Sequence, residues 1–169
     1  SLGLPDAKVK MLEYASFTCP HCSHFHDTVF GQLKKDYIDT GKVHFTLREV
    51  YFDRYGLWAA LIARCGGEMK YFGIQDMLFA KQAEWAASDD PAVVVENLKT
   101  LGRSAGLEDA AMDACLNDQA NAEALITQFK TNFEADGVEG TPTLFINGTK
   151  YSNMAYEDLK PILDAELAK

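Results

Sequence analysis

Along the first fifty residues the spacing of apolar positions changes twice. Residues 8–17, Lys-Val-Lys-Met-Leu-Glu-Tyr-Ala-Ser-Phe, become mostly apolar toward their end, the pattern of a strand central in a sheet. From Pro20 to Thr40, Phe25, Val29, Leu33 and Tyr37 recur every four positions, which predicts one helical face with Lys34, Lys35 and Asp39 toward solvent. Gly41 ends that helix. Val43, Phe45 and Leu47 then alternate with His44, Thr46 and Arg48, as in a strand whose odd positions point inward. Strand, long helix and strand in this order predict a right-handed crossover and a parallel pair. His44 faces away from the inward set and reads as a surface residue.

Residues 55 to about 135 contain no convincing strand. Leu57, Trp58, Leu61, Ile62 and Cys65 form a stripe that stops at Gly66-Gly67, and Met69, Phe72 and Phe79 continue into a second helical segment. Asp90-Pro91 is a helix start, with Asp as the cap and Pro at the first position; Val94, Leu98 and Leu101 follow, and Gly106 closes it. A short helix with Met112 and Cys115 and a longer one with Ala122, Leu125, Phe129 and Phe133 complete a helical block. Its Met and aromatic stripes read as core, and no repeat or low-complexity stretch suggests another architecture.

After Gly137 the pattern returns to strands. Thr143-Leu144-Phe145-Ile146, Asn147-Gly148 and Thr149-Lys150-Tyr151 make a hairpin signal, since both turn positions need positive φ. Pro142, at the mouth of the first strand, either caps an edge or is a cis-proline in a tight turn. Leu159, Ile162, Leu163 and Leu167 mark a last amphipathic helix, with Pro161 predicting a late start or a kink.

Composition narrows the class. A chain of 169 residues with 47% hydrophobic and 24% charged positions is long enough to bury a core as one domain, or one domain with an insertion. Its net charge of −9 argues against nucleic acid and against an anionic membrane surface. No apolar run is long enough to span a bilayer. The first residues hold no basic and apolar signal region, which leaves a cytosolic chain or one whose signal peptide has been removed.

The chemistry concentrates in Cys19-Pro20-His21-Cys22, where the apolar strand gives way to the amphipathic helix. Two thiols at this spacing can close and reopen a small disulfide ring with little backbone movement. A thiolate is the nucleophile in that exchange, and a helix N-terminus stabilises it through unpaired N–H groups and the macrodipole. Pro20 suits a first helical position, and His21, if protonated, adds a positive charge beside the sulfur. Half of a zinc site is the alternative, but it needs four ligands; no second Cys-x-x-Cys is present, and His24 and His26 point to different helical faces. Glu13 is either an exposed carboxylate at a strand edge or a buried one that moves protons for the second sulfur. Cys65 and Cys115 are either two buried thiols or a structural disulfide, the latter implying an oxidising compartment.

Taken together, these elements resemble an α/β thioredoxin fold with an inserted all-helical domain. The expected boundaries are 1–54 and 130–169 for the thioredoxin-like parts and 55–129 for the insertion. The Pro-His dipeptide and the long insertion make the chain similar to the DsbA family of bacterial thiol:disulfide oxidoreductases. The resemblance implies that Cys19 is the exposed nucleophile, Cys22 the buried resolving cysteine, and His21 the residue that most depresses the thiolate's pKa. It further implies that Pro142 is the cis-proline facing the disulfide, that Thr141 offers backbone to a bound peptide, and that Glu13 is the family's buried acid. Cys65 and Cys115 match a second, noncatalytic disulfide found in a subset of the family. Thr141 departs from the best-known members, which carry an apolar residue there.

The activity so implied is a monomeric periplasmic dithiol oxidase without metal or organic cofactor, its signal peptide absent from this sequence. It would act on unfolded or newly exported cysteine-containing proteins and be reoxidised by a quinone-linked inner-membrane protein of the DsbB type. A reductase or isomerase of the same fold is the rival within the enzyme class. A metal-binding protein using Cys19, Cys22 and a nearby His is the rival outside it.

Overall fold

The computed structural model describes residues 1–169. Its sheet has four strands in the order β2-β1-β3-β4. β1 (Val9–Ala15) pairs parallel with β2 (Val43–Glu49) and antiparallel with β3 (Thr143–Ile146), which pairs antiparallel with β4 (Thr149–Ser152). The apolar run therefore occupies an interior strand, as its composition predicts. Asn147 at φ 47° and Gly148 at φ 85° form the turn between β3 and β4, the two positive angles a tight hairpin needs.

Between β1 and β2 the chain forms a continuous helical rod. It starts as α1 (Pro20–Phe25), opens into a π-helical turn (His26–Phe30), tightens in α2 (Gly31–Leu33) and opens again (Lys34–Ile38). The sequence predicts a regular helix here, and the wider turns explain its period of four. In a straight α-helix, positions four apart drift by about 40° per step. The π turns take up the excess, and Phe25, Val29, Leu33 and Tyr37 all stay buried on one face. They join Val9 and Met11 of β1, Val43 and Phe45 of β2, and Leu159 and Leu163 of the last helix in the main core.

The segment from β2 to β3 is helical throughout: α3 (Arg54–Cys65), α4 (Glu68–Ala80), α5 (Gln82–Trp85), α6 (Pro91–Ser104), α7 (Asp109–Leu116) and α8 (Gln119–Ala135). α3 packs on α4, α6 and α7, and a Cys65–Cys115 disulfide joins α3 to α7 with Cα atoms 5.9 Å apart. α8 turns Phe129 and Phe133 toward the sheet face opposite α1, where Tyr14, Val50 and Val138 form a second, small core.

Two local expectations are corrected. Met69 is fully exposed rather than part of an apolar stripe. It lies about 180° around α4 from Leu78, which the core covers completely. Of the two alternatives for the last helix, the late start is overturned: α9 (Tyr156–Leu167) begins before Pro161 and runs through it. Pro161 gives up only the bond its N–H would have made to the Glu157 carbonyl, and buried Leu159 and Leu163 on either side hold the helix to the core.

Candidate active site

β1 ends under a short turn, Ser16 to Cys19, that delivers the chain to α1. Cys19 is the N-cap, with φ −82° and ψ 118°, and its Sγ accepts the Cys22 amide N–H at 3.4 Å. Pro20 fills the first helical position, where a missing N–H costs nothing. Cys19 is half-buried and Cys22 fully buried, and both are free thiols. The His21 side chain is exposed.

The turn is held from several sides. The Thr18 amide donates to Ser16 Oγ, and Thr18 Oγ1 donates to the Asp53 carboxylate at 3.0 Å. The same Asp53 caps α3 by accepting the Gly56 N–H at 2.8 Å. Gln82 Nε2, from α5, donates to the carbonyls of Phe17 at 2.8 Å and Cys19 at 2.9 Å. Ser23 Oγ donates to the Phe79 carbonyl of α4 at 2.7 Å.

Facing the sulfur is the cis peptide Thr141-Pro142, whose Thr141 carbonyl lies 3.7 Å from Cys19 Sγ and accepts from the thiol. Beside it a surface groove is lined by Gly140, Thr141 and Pro142 on one side and Lys150, Tyr151 and Ser152 on the other.

The electrostatics separate the two sulfurs. Cys19 is lowered to about 5, first by hydrogen bonding from Cys22 and then by hydrogen bonding from the Thr141 side chain and the Cys22 and His21 amides, against the opposing effect of partial burial. The thiol's contact with the Thr141 carbonyl works the other way, since only the protonated form can donate; the donors to the sulfur, the Cys22 side chain first among them, outweigh it. His21 thus acts on the sulfur through its backbone. Cys22 is pushed up, by its bond to Cys19 and by burial. Glu13, 3% exposed on β1, is raised to about 8 by burial and then by the charge on Cys19.

Cys19, Pro20, His21, Cys22, Glu13, Thr141 and Pro142 are thus gathered at one end of the sheet, while Cys65 and Cys115 lie apart in the helical segment. His24 and His26 do not join the thiols, and no three His, Cys, Asp or Glu side chains are grouped as a metal would require. Sequence reasoning missed Gln82 and the Thr18–Asp53 contact. Each brings in a residue far along the chain from the cysteines, and a lone Gln or Asp carries no motif.

A family model described as thioredoxin matches residues 1–165. The chain belongs to the thioredoxin family. Among solved structures it is similar to Wolbachia pipientis alpha-DsbA1, with a TM-score of 0.92 and 28% identity over 99% of this chain and 89% of that one. Bacillus subtilis BdbD shares the fold, with a TM-score of 0.85 and 24% identity over 99% of this chain and 92% of that one. A Rickettsia bellii protein assigned the name protein-disulfide oxidoreductase is 34% identical over 96% of this chain and 62% of its own length. Disulfide bond formation protein D of Bacillus subtilis is 27% identical over 98% of this chain and 76% of its own length. The chain spans about three fifths of the Rickettsia relatives it matches, 62% in one and 59% in another. Within the thioredoxin family, then, the helical segment between β2 and β3 is shared with proteins named DsbA.

Proposed function

We propose that the chain is a thiol:disulfide oxidoreductase working as a dithiol oxidase, which gives its Cys19–Cys22 disulfide to exported proteins. The observation that carries this reading is the asymmetry of the pair: Cys19 is lowered to about 5 while Cys22 is buried and pushed up. A sulfur so stabilised as thiolate is a good leaving group and favours the reduced form, which makes the disulfide an oxidant.

In the first step a substrate thiolate attacks Cys19 Sγ, the Cys19–Cys22 bond breaks, and Cys22 leaves with the electron pair. Glu13, neutral when its carboxyl is raised to about 8, supplies the proton that buried Cys22 takes up. A second substrate thiolate then attacks the substrate sulfur of the mixed disulfide. The substrate disulfide forms and Cys19 departs as thiolate, leaving both enzyme cysteines reduced. The disulfide itself is the redox group, and no other cofactor enters.

The substrates of this reading are unfolded or newly exported cysteine-containing proteins, bound as extended chain beside Thr141 and Pro142. Its compartment is the periplasm, and its reoxidant a quinone-linked inner-membrane protein of the DsbB type. The chain acts as a monomer, with residues 55–129 as the inserted helical domain. No helix is long and apolar enough to cross a membrane. The deciding experiment is the equilibrium constant of the Cys19–Cys22 couple against glutathione. An oxidase equilibrates on the oxidising side of protein disulfide isomerases, and a value near that of thioredoxin overturns the proposal.

A reductase or isomerase of the same fold is the second reading. The likeness to a Novosphingobium aromaticivorans structure named protein-disulfide isomerase, 27% identical with a TM-score of 0.85, favours it.

A further inference from the structure

Gln82 is the first residue of α5, is only 9% exposed, and donates both hydrogens of Nε2 to main-chain carbonyls of the turn that carries Cys19. The Cys19 carbonyl also accepts the Cys22 and Ser23 amides, each at 3.1 Å, so Gln82 is its third donor. These bonds orient the Cys19 peptide as a helix cap, the orientation in which Sγ meets the Cys22 N–H. The opposite end of the turn is gripped from the same side, because the Phe17 ring packs on Phe79 at 5.1 Å. α5 in turn is fastened to α4 by the Trp85 indole N–H, which donates to the Leu78 carbonyl at 2.8 Å.

We infer that Gln82 is a positioning residue that holds the Cys19 sulfur on the α1 amides, so that the helical segment sets the reactivity of a thiol it does not touch. The inference rests on the proposed thiol–disulfide chemistry for its purpose, though not for its test. A structural tie alone would need only one bond to the turn. Two donors from one nitrogen, on carbonyls two residues apart, fix the rotation of the intervening peptides as well as their position.

The test uses reduced wild type, Gln82→Leu and Gln82→Met, the second keeping the length of the side chain and losing its donor. Thiolate absorbance is followed against pH, with glutathione equilibria and melting of the oxidised forms beside it. Loss of a hydrogen bond worth about 0.5–1.5 kcal/mol corresponds to a rise in the Cys19 pKa of roughly half a unit to one unit. The glutathione equilibrium should move about three- to tenfold away from oxidising. Melting temperatures that fall while the Cys19 titration stays in place in either folded variant overturn the inference and leave Gln82 a structural tie. The comparison is between variants, so it stands even if wild-type Cys19 titrates above neutral pH. That separate result would remove the oxidase reading and leave the role of Gln82 to be judged on the shift alone.

Discussion

Cys22 donates its amide hydrogen to the Cys19 sulfur across 3.4 Å, while its own thiol is fully buried. One residue thus stabilises its neighbour's charge and is prevented from carrying one itself. Reduced protein followed by thiolate absorbance across a pH series should show one thiol titrating at about 5 and no second one in the neutral range. Two thiols that titrate together above neutral pH would contradict the geometry.

Glu13 gives a stability test with a definite sign. Its folded pKa of about 8 lies above the ordinary 4.5, so the favourable contribution of this group is complete below 4.5 and is lost as pH rises toward 8. Each unit of the shift corresponds to at most about 1.4 kcal/mol. Glu13→Gln should therefore raise the melting temperature of both redox forms above neutral pH and leave it unchanged in acid. The gain should be smaller in the disulfide form, where burial acts on Glu13 without the Cys19 charge. Exchange through Cys22 should slow, because no neutral acid remains to supply its proton. Identical melting profiles at all pH values would place Glu13 in contact with water.

Much of this architecture was legible because it depends on local patterns. Cys19-Pro20-His21-Cys22 announced both its chemistry and its helix start, and Asn147-Gly148 announced the hairpin. The period of four at Phe25, Val29, Leu33 and Tyr37 held the π turns in plain view, although it was read as an ordinary helix. What could not be read was partnership across the chain. Gln82 and Asp53 meet the Cys19 turn from residues distant in sequence, and neither lies in a periodic pattern. Met69 failed for the opposite reason, since an apolar residue in the first turn of α4 looks like core until the neighbouring helices show which face is covered.

Glu49 was equally silent, an acidic residue at the end of an alternating strand. In the structure it is 5% exposed and accepts from Tyr51 at 2.5 Å, Tyr71 at 2.5 Å and Arg64 Nε at 2.9 Å, binding the end of β2 to α3 and α4. Glu49→Ala would leave two part-buried tyrosine hydroxyls without their acceptor, at a cost of about 1–3 kcal/mol each, while the Arg64 guanidinium, 42% exposed, turns to water. Glu49→Gln, which keeps an acceptor oxygen, should cost less. Urea denaturation of both variants checks the order; equal small losses would mean that water replaces the carboxylate.

The Cys65–Cys115 disulfide closes a loop with a sequence separation of 50. On the chain-entropy model a ring of that length stabilises by about 4 kcal/mol. Replacing both cysteines by alanine should lower the melting temperature and leave the Cys19 titration in place, since the bridge joins α3 to α7 rather than to the turn. A Cys19 pKa that moves with the bridge would show the helical segment transmitting strain to the site.

The pH dependence of the two redox forms decides the direction of the chemistry. Cys19 is a thiolate only when reduced, and its folded pKa of about 5 lies below the ordinary thiol value of 9.0. The reduced fold therefore gains stability as pH rises from 5 toward 9 and loses that gain as pH falls through 5. Each pH unit in this window is worth up to about 1.4 kcal/mol before solvent screening of the half-exposed sulfur reduces it. Against this stand the restriction that the small Cys19–Cys22 ring places on the unfolded chain, about 2 kcal/mol on the chain-entropy model, and the extra cost of ionising Glu13 beside the thiolate. The opposing terms are of similar size at neutral pH, so the slope is more informative than any single value. With Cys65–Cys115 left intact, denaturation of both forms should show the disulfide form favoured in acid and the reduced form gaining on it above pH 5, since the loss at Glu13 is common to both apart from the extra cost beside the thiolate. A reduced form that overtakes the oxidised one by neutral pH has the energetics of an oxidase. An oxidised form more stable throughout, with no slope, has those of a reductase.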